Sequence, residues 1–202
     1  MKIFLMVSGL QKQSGGPSYT VSSLAKKLIE SGESVEIDVL NPWDATDSNL
    51  PVIGHDRLPI AKKMGVSPSM RRSLLARVGK HDVIHSNGLW MMPNIYPLTI
   101  AQKTKSKYVI SPRGMLSEWS LEQNRMIKKV VGSCLQKKVI DNASCISVTA
   151  ESEYEDVRRF GYKGPVALIP NGIDLPSDVA RHRDEPGKLK RAIFIVGFIK
   201  KR

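Results

Sequence analysis

Three polar clusters in this 202-residue chain carry residue types that could hold a phosphorylated ligand or move a proton. Gly15-Gly16-Pro17 precedes the helical spacing Val21, Leu24, Ala25, Leu28. Two glycines at a helix start let a ligand approach the backbone, where free amides and the helix dipole favour an anion. The same residues also suit a plain turn with Pro17 opening the helix, and spacing leaves both readings open. His85-Ser86-Asn87-Gly88 ends the run that begins at Asp82. A histidine there can be an acid, a base, a donor to sugar hydroxyls or a structural residue. Ser111-Pro112-Arg113-Gly114 follows KYVI. Arg113 between proline and glycine sits on a stiff turn and suits phosphate or carboxylate, or is a surface arginine.

Other chemistries lack their residues. No Gly-Lys-Ser/Thr follows the first glycine-rich stretch, and G-x-G-x-x-G is absent. No clustered His/Cys set or D-x-D pair suggests a metal, and no Ser-His-Asp or Cys-His set stands out. Glu151, Ser152, Glu153 and Glu155 suit a helix N-terminus, with Ser152 and Glu155 able to form a capping box.

The elements that must position these clusters are short apolar runs alternating with helical patterns. Strands are expected at 2–7, 34–40, 82–86, 107–111, 144–149 and 165–170. Helices are expected at 17–31, 67–79, 92–104 and 151–160, with one or two basic helices within 120–142. Ser67 caps the second helix and Pro68 opens it. Residues 41–66, rich in Pro, Asp, Gly and Asn, read as an irregular excursion. Strand–helix alternation of this length implies an α/β, Rossmann-like, doubly wound parallel sheet. Its ligands bind at the carboxyl ends of the strands, where all three clusters fall.

Bulk composition narrows the classes further. The net charge is +12, but residues 181–202 hold eight Lys and Arg against two acids, half of the excess. No nucleic-acid-binding motif accompanies it, and nucleic acid is not an expected partner. The apolar start, Ile3 to Val7, is too short for a signal peptide and no window could span a bilayer. The chain is expected in the cytoplasm. Cys134 and Cys145 read as inert core thiols rather than a disulfide framework. Arg125, Lys128, Lys129, Lys137 and Lys138, interleaved with Met126, Ile127, Val130, Val131 and Leu135, suit either peripheral contact with anionic lipid or a helix packed on the sheet.

Five stretches occur in a fixed order: SGGPSYTVSSLAKKLIESGESVEI, DVIHSNGLW, ISPRGML, the T-x-E-S-E helix start and IPNGIDLP. Together they resemble the N-terminal half of retaining GT-B glycosyltransferases of family 4, with bacterial enzymes of surface polysaccharide synthesis nearest in appearance. The resemblance implies a two-domain enzyme with its cleft between Rossmann-like halves, needing neither metal nor other cofactor. Residues 1–176 would be the acceptor-side domain. Residues 177–202 would be a linker and the first strand of a donor-binding domain otherwise missing. Gly15 and Gly16 would lie against the diphosphate of a nucleotide-sugar donor. His85 and Asn87 would line the cleft near the transferred sugar, and Arg113 and Gly114 would face a glycan or lipid-linked acceptor or a phosphate. Cleft chemistry needs both walls, so these residues alone are expected to transfer no sugar unless a separate donor-domain chain assists. The competing expectation is a non-enzymatic Rossmann-like binding module or a remnant of a disrupted transferase.

Overall fold

A computed structural model describes residues 1–11, 16–41, 49–123 and 135–172. Contacts divide the chain into Met1–Asn171 and Gly172–Arg202, and every described element belongs to the first unit. Seven strands form one sheet: β1 Lys2–Val7, β2 Ser34–Leu40, β3 Val52–His55, β4 Val83–Asn87, β5 Lys107–Ser111, β6 Cys145–Val148 and β7 Val166–Leu168. Among the described residues six α-helices accompany them: α1 Gly16–Glu30, α2 Pro68–Arg77, α3 Met92–Thr104, α4 Glu118–Glu122, α5 Lys137–Asp141 and α6 Glu151–Arg159. The strand order is β3-β2-β1-β4-β5-β6-β7, and every neighbouring pair is parallel. Parallel neighbours need a crossover connection, and α1 lies between β1 and β2, α3 between β4 and β5, and α6 between β6 and β7.

The alternation within β1 explains the two cores. Phe4 and Met6 join a large cluster with Leu74 of α2, Ile95 and Ile100 of α3, Val139 of α5 and Val157 of α6. Leu5 and Val7 point to the opposite face and join Val21 and Ala25 of α1 with Val35, Ile37 and Val39 of β2. Burying a side chain of this size contributes about 1.5–3 kcal/mol, so two covered faces hold the sheet without its edges.

The expected strands and helices appear within a residue or two, a normal spread for element ends. Ser67 caps α2 as expected, its hydroxyl accepting the Met70 amide at 3.3 Å. The irregular excursion at 41–66 is a correction. It contains β3 and a 3-10 turn over Pro59–Met64. Four residues pairing on one side only suffice for an edge strand, and Val-Ile-Gly-His gives too short a pattern to stand out. Cys145 is half-buried on β6, with its thiol 3.6 Å from the Ile146 carbonyl, rather than in the core. Cys134, the central part of the basic helical stretch, and the linker and strand expected within 177–202 lie outside the described residues. Of the basic stretch that is described, Leu135 is exposed and Lys137 pairs with Asp141 at 2.9 Å.

Candidate functional site

Strand order reverses at β1: β2 and β3 lie on one side, β4 to β7 on the other. The carboxyl ends beside that point form the crevice where sheets of this type take ligands. Val7 of β1 is in register with Asn87 of β4, and Asn87 with Ser111 of β5. The register therefore brings two of the three clusters side by side at the switch point. α1 follows β1 and begins at the exposed Gly16.

Arg113 is the centre of the arrangement. One guanidinium nitrogen donates to the Asn87 side-chain oxygen at 2.9 Å and another to the Asn171 side-chain oxygen at 3.1 Å. Both acceptors are neutral, and the buried Nε finds no partner among the described residues. Arg113 has φ +56° and Gly114 φ +72°. A left-handed arginine persists only where its surroundings over-determine it, and such strain gathers at binding sites. Burial weighs against the guanidinium charge, while Glu153 nearby favours it.

His85 stands two residues before Asn87 on the same face of β4, half-buried, with Nε2 2.8 Å from the Ser111 hydroxyl. Desolvation, helped by the positive charge of Arg113, pushes its pKa down to about 4. At neutral pH the ring is an uncharged hydrogen-bonding group. The group binds fewer protons folded than unfolded below its ordinary value of about 6.5, so stability falls as pH drops from there towards 4. Between pH 7 and pH 5 this linkage costs about 2 kcal/mol. His85→Gln should lose that much less over the same interval in denaturant titrations; equal pH dependence in both proteins would show the ring to be solvated.

Two loops are locked together around these groups. The Gly88 amide donates to the Ser111 carbonyl at 2.8 Å, and the Leu89 amide approaches the Met115 sulfur at 3.2 Å. Gly88 has φ +100°, and a Cβ there would stand 3.3 Å from the Met115 methyl. Only glycine meets both conditions without strain. Asn94, buried in the first turn of α3, donates to the Ser86 hydroxyl at 2.9 Å and the Asn87 carbonyl at 3.3 Å. Its own carbonyl accepts from Tyr108 at 2.9 Å, a phenol whose pKa burial pushes up.

His85, Asn87 and Arg113 are thus gathered at one sheet edge. Gly114 lies in the same turn, and its amide donates inward to Glu153 at 2.7 Å. Gly16 is exposed, with no atom within 4 Å of where a Cβ would sit. Packing does not require glycine there. Gly15 lies outside the described residues. Sequence reasoning missed Asn94, gave Ser111 no role of its own within its cluster, and read Glu153 only as suiting a helix start. A polar residue in the apolar run Met-Pro-Asn-Ile-Tyr-Pro-Leu was the signal for Asn94. The capping box expected of Ser152 and Glu155 does not form; Ala150 is the cap, without a side-chain bond. Among the described residues no group of three His, Cys, Asp or Glu could hold a metal, and no helix is long and apolar enough to cross a membrane.

A seven-stranded parallel sheet flanked by helices, with its order reversing at β1, defines a Rossmann-like α/β domain. The chain belongs to glycosyltransferase family 4, whose sequence profile matches residues 14–176. Among solved structures it is similar to Anabaena HepE in complex with UDP and glucose, at 14% identity and a TM-score of 0.63 over 86% of this chain and 45% of that one. The HepE complex with UDP-glucose gives 14% and 0.61. Sucrose-phosphate synthase from Thermosynechococcus elongatus is similar at 16% identity and a TM-score of 0.54, over 85% of this chain and 90% of that one. At these identities the likeness shows the fold. The chain spans about 45% of the length of the HepE chain. No curated protein matches it.

Proposed function

We propose that residues 1–176 form the acceptor-side wall of a retaining family 4 glycosyltransferase. It passes a sugar from a nucleotide-sugar donor to a glycan or lipid-linked acceptor in the cytoplasmic synthesis of a polysaccharide. The observation that carries this reading is the Asn87–Arg113–Asn171 chain of hydrogen bonds at the switch point, with its half-buried cation held only by neutral groups. A desolvated guanidinium in that state attracts an anion, and a phosphate or diphosphate oxygen suits its planar fork. The UDP and UDP-glucose complexes of HepE support a nucleotide sugar as the donor. Gly16, free of any packing demand, lets the donor diphosphate approach the start of α1, with Gly15 beside it. Uncharged His85 and Asn87 offer hydrogen bonds to the hydroxyls of the transferred sugar. No residue of this wall acts as a nucleophile. The leaving diphosphate takes the acceptor's proton as the acceptor oxygen attacks from the same face.

Residues 177–202 belong to the link to a donor-binding wall, and the 202-residue chain alone turns over negligibly. UDP release from UDP-glucose in the presence of a glycan acceptor tests this. The chain alone should release none above buffer, and adding a donor-binding domain from a family 4 enzyme should start release. Steady turnover by the chain alone would refute the one-wall reading. Silence with several donor domains and several nucleotide sugars would favour the binding-module alternative.

A further inference from the structure

We infer that Glu153 is a positioning residue: its carboxylate clamps the Arg113–Gly114 turn to the start of α6 and so sets where the guanidinium is presented. The inference rests on the reading of Arg113 as an anion-binding group. Glu153 is a charged side chain 6% exposed, and the ion pairs among the described residues do not include it. Three donors hold it instead. Oε1 accepts the Gly114 amide at 2.7 Å, while Oε2 accepts the Thr149 amide at 2.7 Å and the Thr149 hydroxyl at 3.1 Å. Its place in the first turn of α6 adds the favourable end of the helix dipole.

The geometry gives this carboxylate a task beyond capping. A helix cap needs only donors near its own helix, yet one oxygen is spent on a turn 39 residues away in sequence. That turn strings two left-handed residues together, Arg113 and Gly114, and arginine does not hold such a conformation unaided. The Gly114 amide is the fixed point between the strained arginine and the helix. Without the clamp, Arg113 is free to relax to negative φ, and its fork no longer spans Asn87 and Asn171. Glu153 also places a negative charge near the guanidinium without bonding to it. That charge favours the protonated guanidinium against desolvation, while the buried Nε has no partner among the described residues.

Glu153→Gln keeps the shape but has one acceptor oxygen; Thr149 offers it two donors, so the amide nitrogen falls on the Gly114 side and the clamp is lost, while Glu153→Asp keeps the charge on a shorter arm. Two measurements on the full 202-residue chain decide the matter. The first needs no ligand: hydrogen exchange of the Gly114 amide should speed up at least tenfold in Glu153→Gln, with the Ile110 and Ile146 amides of the sheet unchanged. The second uses inorganic phosphate as the probe, read from the Arg113 Nε resonance. Wild type should shift saturably, and Glu153→Gln should bind at least tenfold more weakly, with Glu153→Asp recovering part of the loss. A purely structural carboxylate would lower the melting temperature and leave phosphate affinity in the folded protein unmoved. Unchanged Gly114 exchange overturns the inference, as does unchanged phosphate affinity in a wild type that binds. A wild type that ignores phosphate while Gly114 exchange responds to Glu153→Gln overturns the anion reading of Arg113 and leaves the clamp supported.

Discussion

Asp38→Ala should lower the unfolding free energy by about 3–5 kcal/mol, among the largest losses any single change in this domain will produce. Asp38 is fully buried on β2. Its Oδ1 accepts from His55 Nε2 at 2.6 Å and from Arg77 at 2.6 Å. Arg77 also pairs with Glu36, which Lys2 reaches at 2.8 Å, and its guanidinium lies 5.4 Å from the centre of the Phe4 ring. One carboxylate thus ties edge strand β3, through its last residue, to β2 and to the last turn of α2. Removing it leaves a half-buried guanidinium and a buried imidazole facing a void, which costs more than the pair's own net attraction. The melting temperature should fall by roughly 10 °C for a domain of this size. Asp38→Asn keeps the shape and one acceptor, so a smaller loss is expected. The loss should also be local first: the Asn41 amide, bonded to the His55 carbonyl, should exchange faster than amides of β4 and β5. A change below ~1 kcal/mol in Asp38→Ala would mean that water satisfies these groups and the network contributes little.

That network shows which parts of the molecule the sequence could and could not reveal. Ser-Val-Glu-Ile-Asp-Val-Leu alternates, and alternation alone reads Asp38 as facing water. In a parallel sheet both faces are covered, so the polar side of β2 is buried too and must find partners. Those partners are 17 and 39 residues away, and one of them ends a strand too short to be seen. Covered strands with branched apolar residues and a helix with Ser67 and Pro68 at its start are local signals, and these were legible. The site was legible in pieces for the same reason. Asn87 and Arg113 each follow a readable strand, so their place at the carboxyl edge could be inferred from topology. Their bond to each other depends on β4 lying next to β5 and on the left-handed turn at Arg113, neither of which has a local pattern. Glu153 was hidden by ambiguity: an acidic residue in the first turn of a helix usually only caps it.

Arg113→Gly should weaken binding of inorganic phosphate by about 10- to 100-fold, the ~1.5–3 kcal/mol of a charge-assisted hydrogen bond. Glycine is the informative replacement. At φ +56° it holds the turn without strain, so the Gly114 amide can stay on Glu153 and only the guanidinium is lost. Alanine would confuse loss of charge with relaxation of the backbone. Lysine should not restore binding, because its point charge cannot reach the two asparagine oxygens and keep a face for the ligand. A second effect needs no ligand. Arg113 is one of the two causes that depress His85, the larger being desolvation. Removing the positive charge should move the His85 pKa upward from about 4, short of its ordinary value because the ring remains desolvated. Folding should then lose less stability on acidification, since the gap between folded and unfolded pKa narrows. A titration of the His85 ring resonances in wild type and Arg113→Gly reads the shift directly. An unmoved pKa would mean that the guanidinium does not act on the ring, and the two groups could not serve as one electrostatic unit. A raised pKa with unchanged phosphate affinity would keep the coupling but take the anion away from Arg113. Both effects together would give the crevice a single polarity: an uncharged donor for hydroxyls at His85, made so partly by the cation that holds the phosphate beside it.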